Sequence, residues 1–169
     1  RVQRLLYEFV VLQETGILKE DIPIYFDSPM GVKTTDVYRK YSSLLSAEIQ
    51  ERLLKNTDPF SPKGLREVTT PEESKMINDV SFAIVLAGSG MANGGRIVHH
   101  LKHNLWNPRS HLIFVGYQAS GTLGRLIIDG ARFVKVAGEE VAVKCKVHTI
   151  GGFSAHAGKD DLIAWASNF

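Results

Sequence analysis

Apolar residues recur at helical spacing over residues 2–12, where Leu5, Leu6, Phe9, Val10 and Leu12 share a face, and Gly16 stops the pattern as a C-terminal glycine does. The run Pro23-Ile24-Tyr25-Phe26 is short, apolar and β-prone and ends at Asp27-Ser28-Pro29, which predicts a buried strand running into a turn. A second helical pattern takes in Val37, Tyr41, Leu44, Leu45, Ile49 and Leu53, with Thr34 or Thr35 as its cap and Arg39, Lys40, Glu48, Glu51 and Arg52 on the solvated side. Residues 56–70 hold Pro59, Pro62 and Gly64 with few apolar positions and read as a loop. Thr70-Pro71-Glu72-Glu73 then combines a Thr cap, a proline at the first helical position and a Glu three residues after the cap, so a helix starts there.

Ser81 to Ala87 is a continuous apolar run of the kind found in strands covered on both faces. Gly88-Ser89-Gly90-Met91 follows, and a helix from about Asn93 turns Ile97, Val98 and Leu101 inward before ending near Trp106-Asn107-Pro108. His111 to Val115 reads as another buried strand, then comes the turn Gly116 to Thr122 and a helical piece to Ile128. This alternation predicts an α/β fold, a parallel sheet with helices on its faces, in which ligands collect at the carboxyl ends of the strands, near Asp27, Ser89 and Gln118. After Gly130 the pattern changes to period two over Phe133 to Val136 and Val141 to Val147, with Gly138-Glu139-Glu140 between, which predicts antiparallel strands. The expected boundary is Asp129-Gly130, giving units 1–129 and 130–169.

Composition narrows the class. At 169 residues, 44% hydrophobic and 22% charged, the chain is an ordinary soluble globular protein long enough to bury a core. No apolar run approaches the ~20 residues of a spanning helix, and Arg1 opens no signal peptide, so the default expectation is no membrane partner and a cytoplasmic location. The one cysteine, Cys145, sits inside an alternating run and reads as a buried strand residue rather than a nucleophile. Net charge is only +2, but Arg96, His99, His100, Lys102, His103 and Arg109 fall in one stretch without an acid, which predicts an electropositive helix, either solvated or facing a polyanion.

The candidate chemistry lies in three glycine-punctuated turns. Ile150-Gly151-Gly152-Phe153-Ser154-Ala155-His156-Ala157-Gly158 mounts one Ser-x-His on a loop after a strand, either as a working imidazole or as a Gly-rich turn with an incidental His. Gly88-Ser89-Gly90 before a helix suits an anion, yet it lacks a P-loop ending and dinucleotide spacing, which disfavours nucleotide hydrolysis and hydride transfer. Gly121-Thr122-Leu123-Gly124-Arg125 adds a hydroxyl, amides and a guanidinium at a second helix start, with tight packing as the competing reading. His99 and His103 are four apart on a helix, but no third ligand completes a zinc site, and His111 and His148 receive no role, so no metal ligand is assigned.

Taken in order, Pro23-Ile24-Tyr25-Phe26-Asp27-Ser28-Pro29-Met30, Ala87-Gly88-Ser89-Gly90-Met91 with Gly94-Gly95, Val115-Gly116-Tyr117-Gln118, Gly121-Thr122-Leu123-Gly124-Arg125 and Gly152-Phe153-Ser154-Ala155-His156-Ala157 resemble the β-CASP branch of the metallo-β-lactamase fold, in its bacterial and archaeal form. The resemblance implies that residues 1–129 are the β-CASP domain and that 130–169 return to the metallo-β-lactamase sandwich. It implies zinc-dependent hydrolysis of RNA phosphodiester bonds, with single-stranded RNA as partner. In that chemistry a hydroxide bridging two zinc ions attacks the phosphate in line, zinc stabilises the developing charge, and His156 protonates the leaving oxygen. Ser89, Gly90, Met91, Gln118, Thr122, Arg125 and Ser154 would line the RNA path. The family's His-x-His-x-Asp-His zinc motif has no counterpart here. The chain is therefore expected to be a middle portion of a longer nuclease that by itself binds little or no zinc and cleaves nothing. A non-catalytic nucleic-acid-binding module, a DNA-directed nuclease, an unrelated phosphate-ester enzyme using Asp27 and His156, and homodimerisation all stay open.

Overall fold

The computed structural model describes residues 1–153 and 157–169. The elements are α1 (Val2–Glu14), β1 (Ile24–Asp27), α2 (Pro29–Lys40), α3 (Ala47–Leu54), β2 (Leu65–Glu67), α4 (Pro71–Met76), β3 (Ile84–Ala87), α5 (Arg96–Asn104), β4 (His111–Phe114), α6 (Leu123–Ile128), β5 (Phe133–Val136), β6 (Glu139–Ala142), β7 (Lys146–Thr149) and α7 (Lys159–Ala166). Parallel strands in the order β2-β1-β3 form one sheet, β4 and β7 pair in parallel as a second, and β5 and β6 make an antiparallel hairpin. No helix among the described residues is long and apolar enough to cross a membrane.

Two apolar clusters hold these layers. Leu6 of α1, Phe26 of β1, Val32 of α2 and Phe60 pack together, joined by Ile49, Leu65 and Leu86. Ala92, Leu101, Leu105, Phe114, Ile127, Val134 and Val136 form the other. The hairpin thus shares a core with α5, β4 and α6, and buried contacts run across the expected 129/130 boundary.

Several expected elements take another form. Thr34 and Thr35 lie inside α2, because Ser28 caps it by accepting from Gly31 N with Pro29 at the first position. The Thr35 hydroxyl instead donates to Gly31 O and accepts from Gln3 of α1 at 3.2 Å. The long helical pattern breaks at Tyr41 into α2 and α3, leaving Val37, Tyr41 and Leu44 exposed. The expected loop contains β2: the Gln13 carboxamide accepts from Lys63 N and donates to Lys63 O, seating that segment alongside β1. With only Leu65 apolar, β2 carries no periodic signal. β4 is buried only at Phe114 and alternates with exposed His111 and Ile113, and the residues of β3 are half-buried.

The largest correction concerns 141–147, expected as one antiparallel strand. The hairpin forms, but its turn is Ala137 (φ 49°) and Gly138 (φ 87°), the left-handed pair such turns require, so Glu139 and Glu140, expected in the turn, pair in β6 with Val136 and Lys135. The Leu105 carbonyl then accepts from both Lys144 N and Cys145 N, which interrupts the run. Lys146 N donates to Ser110 O, and β7 continues parallel to β4 with Leu112 opposite Val147. Because Ile127 is 1% exposed within the shared cluster, Ile127→Ala should cost about 2–5 kcal/mol. Hydrogen exchange should show the hairpin, α5 and β4 losing protection together; a hairpin that opens separately would break this picture.

Candidate functional site

The carboxyl ends of β1 and β3 meet the starts of α4 and α5 around one buried carboxylate. Asp27 is fully buried at the last position of β1. Ser74 Oγ donates to its Oδ2 at 2.5 Å, and His100 Nε2 stands 2.7 Å from the same oxygen, so with a carboxylate as acceptor that ring nitrogen carries the hydrogen. Oδ1 has no hydrogen bond but faces Arg96 Nη1 at 3.4 Å. Arg96 also donates to the carbonyls of Thr70 (2.8 Å) and Thr69 (3.4 Å), binding α5 to the capping box in which Thr70 and Glu73 satisfy each other's backbone. Those backbone amides hold the Glu73 carboxyl below its usual range.

This knot disposes of much of the expected positive helix. Arg96 and His100 turn inward, and Lys102 Nζ pairs with Glu139 at 2.6 Å, leaving His99, His103 and Arg109 outward.

Two turns lie side by side beyond the knot. Ser89 is exposed and adopts φ 79°, an uncommon conformation for a residue with a side chain, and its carbonyl accepts from Ala92 N. In the neighbouring turn Gln118 is 4% exposed, and its amide is shared among the carbonyls of Gly90 (2.6 Å), Gly116 and Tyr117 (both 3.1 Å). Its Oε1 has no hydrogen bond and lies against Gly124, where a Cβ would collide with it and with the Phe114 ring. Met91 reinforces the join, its sulfur facing Ala119 N at 3.3 Å and its carbonyl accepting from Gly124 N.

The start of α6 is not open to an anion in the way its sequence suggests. Leu123 N donates to Asn93 Oδ1, Gly124 N to Met91 O and Arg125 N to Thr122 Oγ1, so the first amides are all engaged. Thr122 is buried, and its hydroxyl also donates to Ala119 O. Arg125 grips Asp129 through Nε (2.9 Å) and Nη2 (2.8 Å), which raises its already high pKa. Thus Ser89 and Gly90 are exposed and Met91 half-buried, Gln118 and Thr122 are buried supports, and Arg125 is exposed but paired; Ser154 and His156 lie outside the described residues.

Family models match residues 2–127 as the Beta-Casp domain and residues 140–169 as the Zn-dependent metallo-hydrolase RNA specificity domain. The chain belongs to the β-CASP family. It is 46% identical over 166 residues to "Ribonuclease TTHA0252" of Thermus thermophilus, covering 98% of this β-CASP chain and 38% of that protein. It is 37% identical over 154 residues to "Transcription termination factor FttA" of Pyrococcus abyssi, covering 87% of this chain and 24% of the relative. The FttA of Methanocaldococcus jannaschii is 33% identical over 175 residues, 98% of this chain and 27% of its own. The β-CASP chain therefore spans between about a quarter and two fifths of these relatives.

Zinc is implied by the domain description, and the described residues do not by themselves fit it. No group of three or more His, Cys, Asp or Glu among them could hold an ion. Asp27 and His100, a carboxylate and an imidazole in contact, are closed off by Ser74 and Arg96. The β-CASP resemblance does not point to this knot: the sequence puts Asp27 at a strand end, but its partners Ser74 and His100 are 47 and 73 residues away. Asp27→Ala should strip the half-buried Arg96 and the buried His100 of their counter-group and cost about 3–5 kcal/mol in urea unfolding, whereas breaking the exposed ion pair Lys55–Glu51 should leave the unfolding midpoint essentially unchanged.

Proposed function

We propose that this chain is the substrate-guiding part of a zinc-dependent ribonuclease that hydrolyses RNA phosphodiester bonds, and that single-stranded RNA passes over the exposed turn of Ser89, Gly90 and Met91. The observation that carries the reading is this turn's construction. A left-handed Ser89 stands exposed at the carboxyl end of a parallel sheet, its neighbour's carbonyl pinned by the buried Gln118. Such positions hold functional backbone in place at a cost of about 1–3 kcal/mol. The names of the relatives, a ribonuclease and transcription termination factors, support an RNA-directed role.

Within this proposal Gln118, Thr122 and Arg125 build the wall behind the turn, and Ser154 lines the same path. His156 donates a proton to the leaving oxygen, and the zinc ligands lie in other parts of a longer protein. The described residues do not form a zinc site of their own. A cytoplasmic location and a homodimer belong to the same proposal.

The test is cleavage of labelled single-stranded RNA by the full-length protein beside its His156→Ala variant, with metal content measured on both. The expected result is a large loss of cleavage with metal retained, and binding that weakens steeply between about 50 and 200 mM salt. Binding without cleavage by the wild type would favour the non-catalytic module, and preference for single-stranded DNA would move the substrate class. Ser89→Gly should leave stability within about 1 kcal/mol, since relief of the left-handed strain offsets the added freedom of the unfolded chain, while RNA binding weakens several-fold. Unchanged binding would remove Ser89 from the contact surface.

A further inference from the structure

The five tyrosines of this chain differ in what occupies them. Tyr7 donates to Glu48 and lies under Arg52, whose guanidinium stands 5.3 Å from the ring centroid. Tyr25 accepts from Arg66 Nη1 and carries that guanidinium 5.5 Å from its ring. Tyr38 meets Phe60 edge to face at 5.9 Å, and Tyr41 lies beneath the Lys40 ammonium at 5.5 Å. Tyr117 is 72% exposed, and its side chain has no hydrogen bond or ring contact among the described residues, the Arg125 guanidinium within electrostatic reach of it being held by Asp129.

Its backbone, by contrast, is held firmly. The same Gln118 amide that grips Gly90 O at 2.6 Å grips Tyr117 O at 3.1 Å, so the ring springs from a clamped point immediately beside the Ser89 turn. An open aromatic ring on a fixed backbone is what an unstacked base needs, because ordering the platform costs little when the base arrives. Every base has a π-face, so such a contact tolerates sequence, but it requires a base free of a duplex.

We propose that Tyr117 is a stacking platform for one unpaired base of the RNA strand that crosses the Ser89 turn. The inference rests on the RNA reading above and adds to it a selection for unpaired nucleotides at this point of the path. No covalent step is involved.

The test compares wild type, Tyr117→Ala and Tyr117→Phe in binding to a short fluorescent oligouridine and to a ribose-phosphate oligomer of equal length without bases. Tyr117→Ala should weaken oligouridine binding about 5- to 100-fold, Tyr117→Phe should stay within about twofold of wild type, and the abasic oligomer should bind all three equally. Since the side chain is exposed, the unfolding midpoint of each variant should match wild type. Equal binding of oligouridine by wild type and Tyr117→Ala overturns the platform while leaving the RNA reading intact. A loss with Tyr117→Phe as large as with Ala, or a loss that persists on the abasic oligomer, also overturns it, in favour of a hydroxyl or phosphate contact. If the wild type binds neither oligomer, the RNA reading itself fails.

Discussion

A carboxylate without water is costly unless opposite charge and hydrogen bonds replace the solvent, and Asp27 is a fully buried carboxylate. Its three partners come from two helices: Ser74 from α4, and Arg96 and His100 from successive turns of one face of α5. None of them can leave without stranding the others, so the end of β1, the start of α4 and the whole of α5 are fixed relative to one another. Such a cluster adds little net stability over apolar packing, but it tolerates few alternative arrangements. Here it sets where α5 begins, and therefore where the chain from Gly88 to Gly95 must turn.

The second join is made by an uncharged group. Gln118 reaches from the β4 turn to the Gly90 carbonyl, and it fits only because residue 124 has no side chain. The two apolar clusters, one around Phe26 and one around Leu105 and Ile127, are thus bridged at the carboxyl edge by polar contacts at the Asp27 knot and at Gln118. A seam of directional bonds defines a surface more sharply than apolar packing does, since a shift of an ångström breaks it. The exposed Ser89 and Tyr117 both stand on that seam.

Supports and contacts divide cleanly across this surface. Residues whose chemistry looks suited to phosphate, Thr122, Arg125 and the α6 amides, spend it on the protein itself. What the surface presents instead is the exposed Ser89 and Gly90, the half-buried Met91 and an aromatic ring. Family membership accounts for the arrangement of strands and turns, and the division between support and contact follows from the bonds counted at each atom.

Local signals in the chain determined a good deal by themselves. Gly16 ending α1, the Thr70–Glu73 capping box, Thr122 as the cap of α6 and the strand–turn–helix alternation at Gly88 and Gly116 each depend on residues within a few positions of one another. The succession of these motifs also identified the family. Other features depended on groups distant in sequence. β2 exists because β1 and Gln13 of α1 supply partners for a stretch with almost no apolar pattern, and β7 turns parallel to β4 because the Leu105 carbonyl intercepts the chain at Lys144 and Cys145. Arg96 and His100 read as part of a positive helix until Asp27 is placed beneath them. Propensity and capping act over one or two turns of chain, whereas hydrogen-bond satisfaction of a buried group is settled only when the tertiary structure decides which groups share its cavity.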